Sequence, residues 1–110
     1  MAFHHPTREQ IQLPDVLTAL GHPVRLSIVR ALAEGGEHSC GALPSPVSKS
    51  TMTHHWRVLR ESGVIHQRPE GREHFLTLRC ADLDARFPGL LHAILDAAKQ
   101  PEAATPAAGG

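Results

Sequence analysis

The apolar period of this chain switches from helical to extended at Gly63, and that switch constrains the fold more than any other feature. Before it, Met52, Trp56 and Leu59 recur at the spacing that puts them on one stripe of a helix. Ser48 can accept the unpaired N–H groups of a first helical turn, and Gly63 can take the left-handed conformation that ends one. After it, Val64 to Pro69 and Glu73 to Leu78 are extended runs separated by the tight-turn signal Glu70-Gly71-Arg72. Pro69 has no N–H to give a sheet ladder, so it belongs at the strand end beside the turn. A helix running directly into a β-hairpin is therefore expected over residues 48–78.

The side of that helix opposite the apolar stripe carries Lys49, Ser50, Thr53, His54 and Arg57, with Thr51 in its first turn. Short hydrogen-bonding side chains and cations, with no hydrophobic material among them, suit the base edges and phosphates of a DNA major groove. A merely solvated face is the plainer alternative. His55 lies at the flank of the buried stripe, where it is expected to orient the helix rather than read a base. Arg68 and Arg72 are expected at the hairpin tip, where they can be laid on the phosphate backbone. The chain is neutral overall with its histidines uncharged. Residues 49–79 nevertheless hold Lys49, Arg57, Arg60, Arg68, Arg72 and Arg79 against only Glu61, Glu70 and Glu73. The positive potential is thus gathered on the helix and hairpin, as a nucleic-acid partner requires.

The remainder reads as support. A length of 110 residues with 41% hydrophobic and 4% aromatic content allows one domain with an aliphatic core. Residues 1–12 read as a mobile or loosely docked arm with a short helix starting at Thr7. Residues 13–99 read as the folded domain, and residues 100–110 as a disordered tail of Pro, Ala, Thr and Gly. Val16, Leu17 and Leu20 share a helical face before Gly21-His22-Pro23. Pro23 then opens a central helix lined by Val24, Ile28, Val29 and Leu32 and closed by Gly35-Gly36. His38 to Leu43 is expected to make one to two helical turns before Pro44-Ser45-Pro46. Asp82 to Lys99 returns to helical spacing, with a break at Pro88-Gly89. Its apolar residues occupy more of the circumference than one small domain can cover, so Leu90, Leu91, Ile94 and Leu95, with Val16 and Leu17, are expected to meet a second subunit. The sequence shows neither an apolar run long enough to span a bilayer nor a signal-peptide core, which predicts a cytoplasmic protein with Cys40 and Cys80 reduced.

Helix, short helix, recognition helix, hairpin wing and terminal helix, in that order, resemble the ArsR/SmtB family of winged helix-turn-helix repressors. The likeness rests on Ala19-Leu20-Gly21-His22-Pro23-Val24-Arg25-Leu26-Ser27-Ile28-Val29, on Ser48 to Leu59, and on Glu61-Ser62-Gly63-Val64-Ile65. The resemblance implies a mostly α fold with a small β-hairpin, a homodimer joined by first and last helices, operator DNA as partner, and release of DNA on metal binding in many members. Departures matter. Where the family's thiolate sensors carry two cysteines one residue apart, this chain has Ser39-Cys40-Gly41, and one thiol cannot make a multi-thiolate site. His92 and Asp96, one turn apart on the last helix, are the candidate metal ligands, to be completed by a second subunit or by His4 and His5 of the arm. Imidazole with carboxylate suits a borderline ion such as nickel or zinc.

Three functional classes are thus distinguished. A sequence-specific transcriptional regulator, tuned by a metal or a co-regulator protein, accounts for helix, wing and charge together. A winged-helix module docking on protein without DNA is the alternative, and a salt-sensitive gel shift separates the two. An enzyme is not expected, because no nucleophile, base and orienting group fall in a working pattern and no phosphate loop is present.

Overall fold

The computed structural model describes residues 3–43 and 45–99. It comprises α1 (Leu13–Leu20), α2 (Pro23–Leu32), β1 (His38–Ser39), α3 (Lys49–Glu61), β2 (Ile65–Glu70), β3 (Glu73–Leu78), α4 (Cys80–Arg86) and α5 (Leu90–Ala98). The three strands form one antiparallel sheet in the order β1-β3-β2.

Local chemistry sets the helix ends. His22 caps α2 through Nδ1, which accepts the Val24 N–H at 3.1 Å, and Pro23 follows where an N–H would have no partner. Ser48 caps α3 by accepting the Thr51 N–H at 3.3 Å. Gly63 ends the helix at φ +88°, and the chain turns straight into β2. The expected break at Phe87-Pro88-Gly89 divides the last helical stretch into α4 and α5, with Gly89 at φ +79°.

The core is aliphatic. Val16, Ala19 and Leu20 of α1, Ile28, Val29 and Leu32 of α2, and Leu59 of α3 cluster with Ile65, Leu76 and Leu83. Met52, Trp56 and Leu59 form the buried stripe of α3 as their spacing required. Val16 is 1% exposed, which corrects its assignment to a subunit interface. Leu17, on the other side of α1, is 47% exposed and Leu13 is 41%.

Two segments differ from the sequence reading. His38–Ser39 is not helical but pairs with Leu76 and Phe75 as a third strand, and only Cys40–Ala42 makes a 3-10 turn. The cause is long-range: β3 is central, and its Leu76, with no exposed surface, lies between pairing partners on both sides. Residues 3–11, expected as a mobile or loosely docked arm, are packed onto the domain. Ile11 is 1% exposed and lies so close to Gly63 that a Cβ there would stand 2.5 Å from its Cγ1. Arg79 donates to the Pro6 carbonyl at 2.8 Å, Arg86 to the Ile11 carbonyl at 2.6 Å, and Arg8 pairs with Asp82 at 2.8 Å. The expected turn after Thr7 is present as a 3-10 turn at Arg8–Gln10. The expected tail from residue 100 lies outside the described residues.

Candidate nucleic-acid interface

The exposed side of α3 carries Lys49, Ser50, Thr51, Thr53, His54 and Arg57, every one of them solvent-accessible. Three hydroxyls are partly committed to the helix itself. Ser48 donates to Thr51 Oγ1 at 2.9 Å and lies 3.3 Å from Ser50 Oγ, while Thr53 Oγ1 donates to the Lys49 carbonyl at 3.0 Å. Those bonds hold the first turn in shape. They leave acceptor lone pairs and the threonine methyl groups free to meet base edges.

The hairpin closes with Gly71 at φ +62° followed by Arg72, the positive-then-negative φ sequence of a two-residue type II′ turn. Arg72 therefore projects from the tip, exposed and without an ion pair among the described residues. Between α3 and the wing runs a groove of about 790 Å³, whose lining includes Lys49, Thr53, Arg57 and Arg72. Four of the eight expected contact residues, drawn from two elements, thus share one concave surface. Ser50, Thr51 and His54 lie on α3 outside it.

Arg68 does not belong with them. It lies opposite Phe75, three residues inward from the turn, and donates Nε and Nη2 to the two oxygens of Glu37 at 2.6 and 2.7 Å. Nη1 is held by Glu70, and the guanidinium lies 4.9 Å from the Phe75 ring centroid. Two carboxylates outweigh one cation, so the expected phosphate contact is corrected to a wing-bracing role. Glu37 lies 31 positions away in sequence, and no local count of charge reveals the pairing.

Sequence reasoning also missed what fixes the wing against α3. Gln67, 5% exposed on β2, accepts from Arg60 Nη1 at 2.7 Å and donates Nε2 to His74 Nδ1 at 3.1 Å. Its backbone N–H donates to His5 Nε2 at 2.9 Å, and the His5 ring stacks on His66 at 4.3 Å. Phe3 lies under the Arg60 guanidinium at 4.5 Å. One glutamine therefore joins recognition helix, wing and arm; its polar character at an inward strand position was the available signal. Burial, together with the neighbouring His66 ring and the Arg79 charge, pushes the His5 pKa below its ordinary value.

The donors expected for a metal are not assembled within one protomer. His92 and Asp96 line a hollow of about 550 Å³ between α2 and α5, which they share with Arg30, Glu34 and Lys99. Among the described residues no three His, Cys, Asp or Glu side chains are grouped to hold an ion. The expected help from the arm fails for His5, whose Nε2 lone pair is already taken by the Gln67 N–H, while His4 is simply exposed. Cys40 stands apart, half-buried, its thiol pushed up to about 11 by burial.

A cationic helix seated on an aliphatic core, followed at once by a basic-tipped hairpin, defines a winged helix-turn-helix DNA-binding domain. Comparison with known proteins agrees. The helix-turn-helix domain family matches residues 20–68. The chain is 32% identical over 83 residues to the HTH-type transcriptional regulator YceK of Bacillus subtilis, a match covering 73% of this chain and 83% of that one. The crystal structure of the transcriptional repressor BigR from Xylella fastidiosa is similar with a TM-score of 0.62 at 30% identity, over 87% of this chain and all of that one. An ArsR family transcriptional regulator shares the fold with a TM-score of 0.63 at 20% identity, over 89% of this chain and all of that one. The chain belongs to the ArsR-type winged helix-turn-helix repressor family and is a DNA-binding transcriptional regulator. Among the described residues no helix is long and apolar enough to cross a membrane.

Proposed function

We propose that this chain represses transcription as a homodimer, each protomer placing α3 in the major groove and the Arg72 turn on the adjoining backbone. The observation that carries this reading is the shared groove. Lys49, Thr53 and Arg57 from α3 meet Arg72 from the wing there, so base contacts and phosphate contacts are presented together. Leu13 and Leu17 on α1, with Leu90, Leu91, Ile94 and Leu95 on α5, form the seam. The last four pack on the core yet stay half-buried, and α5 contains no fully buried residue. A two-fold axis through that seam sets two recognition helices about 10 base pairs apart or a multiple of that. Selection from a random duplex pool should return a two-fold symmetric site, and Arg57→Ala should relax its base preference. A selected pool without symmetry would sink the dimeric reading.

The donors of one protomer do not fit a metal, because His92, Asp96 and Glu34 share the hollow with Arg30 and Lys99 and are not grouped to hold an ion. Metal responsiveness is therefore proposed only as a site shared between two copies of α5, where His92 and Asp96 would hold nickel or zinc. Calorimetry with His92→Ala tests it, and unchanged binding by that variant rules the site out. Failing it, a co-regulator protein is the remaining route to control.

A further inference from the structure

Arg25 of α2 and His55 of α3 are 8% and 4% exposed, and neither reaches the DNA face. Arg25 Nε donates to the Ala19 carbonyl at 2.8 Å and Nη2 to the Thr18 carbonyl at 3.0 Å, so its charge sits on the last-turn carbonyls of α1. Its third bond runs from Nη1 to His55 Nδ1 at 3.1 Å. A guanidinium has only donors, so Nδ1 must accept, and the ring is neutral with its proton on Nε2. One side chain thus joins the last turn of α1, helix α2 and the middle of the recognition helix.

We propose that Arg25 and His55 are positioning residues for DNA recognition, and that protonation of His55 unseats α3 so that operator binding fails as the pH falls. A proton on Nδ1 turns the one acceptor of this contact into a donor facing a donor, and sets two cations against each other at a buried site. Among the described residues no carboxylate answers it. From α2 the ring meets Arg25 and from the cap of α2 His22, whose ring centroid is 4.6 Å away, and from α3 it meets His54 at 5.7 Å. To the Arg25 side of this cluster α1 supplies the carbonyls of Thr18 and Ala19; its acid Asp15 stands in its first turn, lining a shallow groove with Glu61. Burial first, then His22, Arg25 and His54, hold the His55 pKa below the ordinary imidazole value. A depressed folded pKa makes the contribution complete above about pH 6.5 and drains it as the pH falls through the folded value. His54, exposed on the DNA face, has the opposite sign, since its protonation adds a cation beside the phosphates.

The test compares the wild type with His55→Gln, whose side-chain oxygen can accept from Arg25 but does not titrate. The probe is the duplex selected by the wild type from a random pool, and the quantity read is the affinity ratio of the two proteins, in which His54 cancels. Expected are near-equal affinities at pH 8, and a wild-type loss relative to the variant of up to about tenfold per pH unit and protomer once the pH falls below the depressed His55 value. A flat ratio overturns the proposal. Nitrogen-15 NMR of the wild type without DNA decides the matter even where the variant does not fold, and also where the reading of α3 as the recognition helix fails. His55 should carry its proton on Nε2 and titrate below its ordinary value; a proton on Nδ1, or an ordinary or raised titration, overturns the assignment.

Discussion

Arg68 and Arg72 lie four residues apart on one hairpin, carry the same charge, and should answer differently to truncation. Arg72 is exposed at the turn and has no carboxylate partner among the described residues. Each such cation set on a duplex phosphate adds about 0.9 to the slope of log affinity against log salt. Arg72→Ala should remove that amount per protomer, about 1.8 for a two-fold dimer. Across a fourfold rise in salt, from about 0.05 to 0.2 M, the wild type should lose about 3.5-fold more affinity than the variant for each lost contact, about 12-fold for two. Arg68 is already matched by Glu37 and Glu70, so Arg68→Ala should leave the slope unchanged. Glu37→Gln removes one of those carboxylates and should raise affinity at low salt. Phosphate contacts do not depend on sequence, so fluorescence anisotropy on a random-sequence duplex suffices. Equal slope losses for Arg68→Ala and Arg72→Ala would show that Arg68 leaves Glu37 for the DNA, and the bracing role would be refuted.

Gly63→Ala should cost about 2–5 kcal/mol in urea unfolding, combining about 1–2 for the left-handed backbone with about 1–3 for overpacking against Ile11; a loss below about 1 kcal/mol would mean that the arm yields freely. Val16→Ala should lower stability by about 2 kcal/mol and leave the dimer intact, whereas Leu17→Asp should sediment as a monomer. A dimeric Leu17→Asp would move the seam off α1. Cys40, with its thiol pushed up to about 11, keeps about one thiolate in a thousand at pH 8. Exposed Cys80 should therefore take iodoacetamide first by mass spectrometry, and equal labelling would contradict the burial of Cys40.

What could be read from sequence follows the range of the interactions. The α3–hairpin unit was legible because cap, stripe, stop glycine and turn all lie within about a dozen residues of their effects, and each local preference points the same way. The seat of His55 was half legible. Its place at the flank of the stripe predicts an orienting bond, but the partner, Arg25, stands 30 positions earlier and looks like any surface arginine of an amphipathic helix. Strand β1 was misread because two residues carry no period, and only the demand of a central β3 for a second partner makes them extended. The arm was misread for a related reason. Phe3, His5 and Ile11 form no helical or strand pattern, yet each fills a place prepared by Arg60, Gln67 or Gly63 more than fifty positions downstream. Arg68 carries this furthest, since a basic residue near a hairpin tip is a DNA contact by every local criterion. It ceases to be one because β1 brings the chain around Glu37 alongside β3, so the strand that sequence failed to show also removes the charge that sequence overcounted.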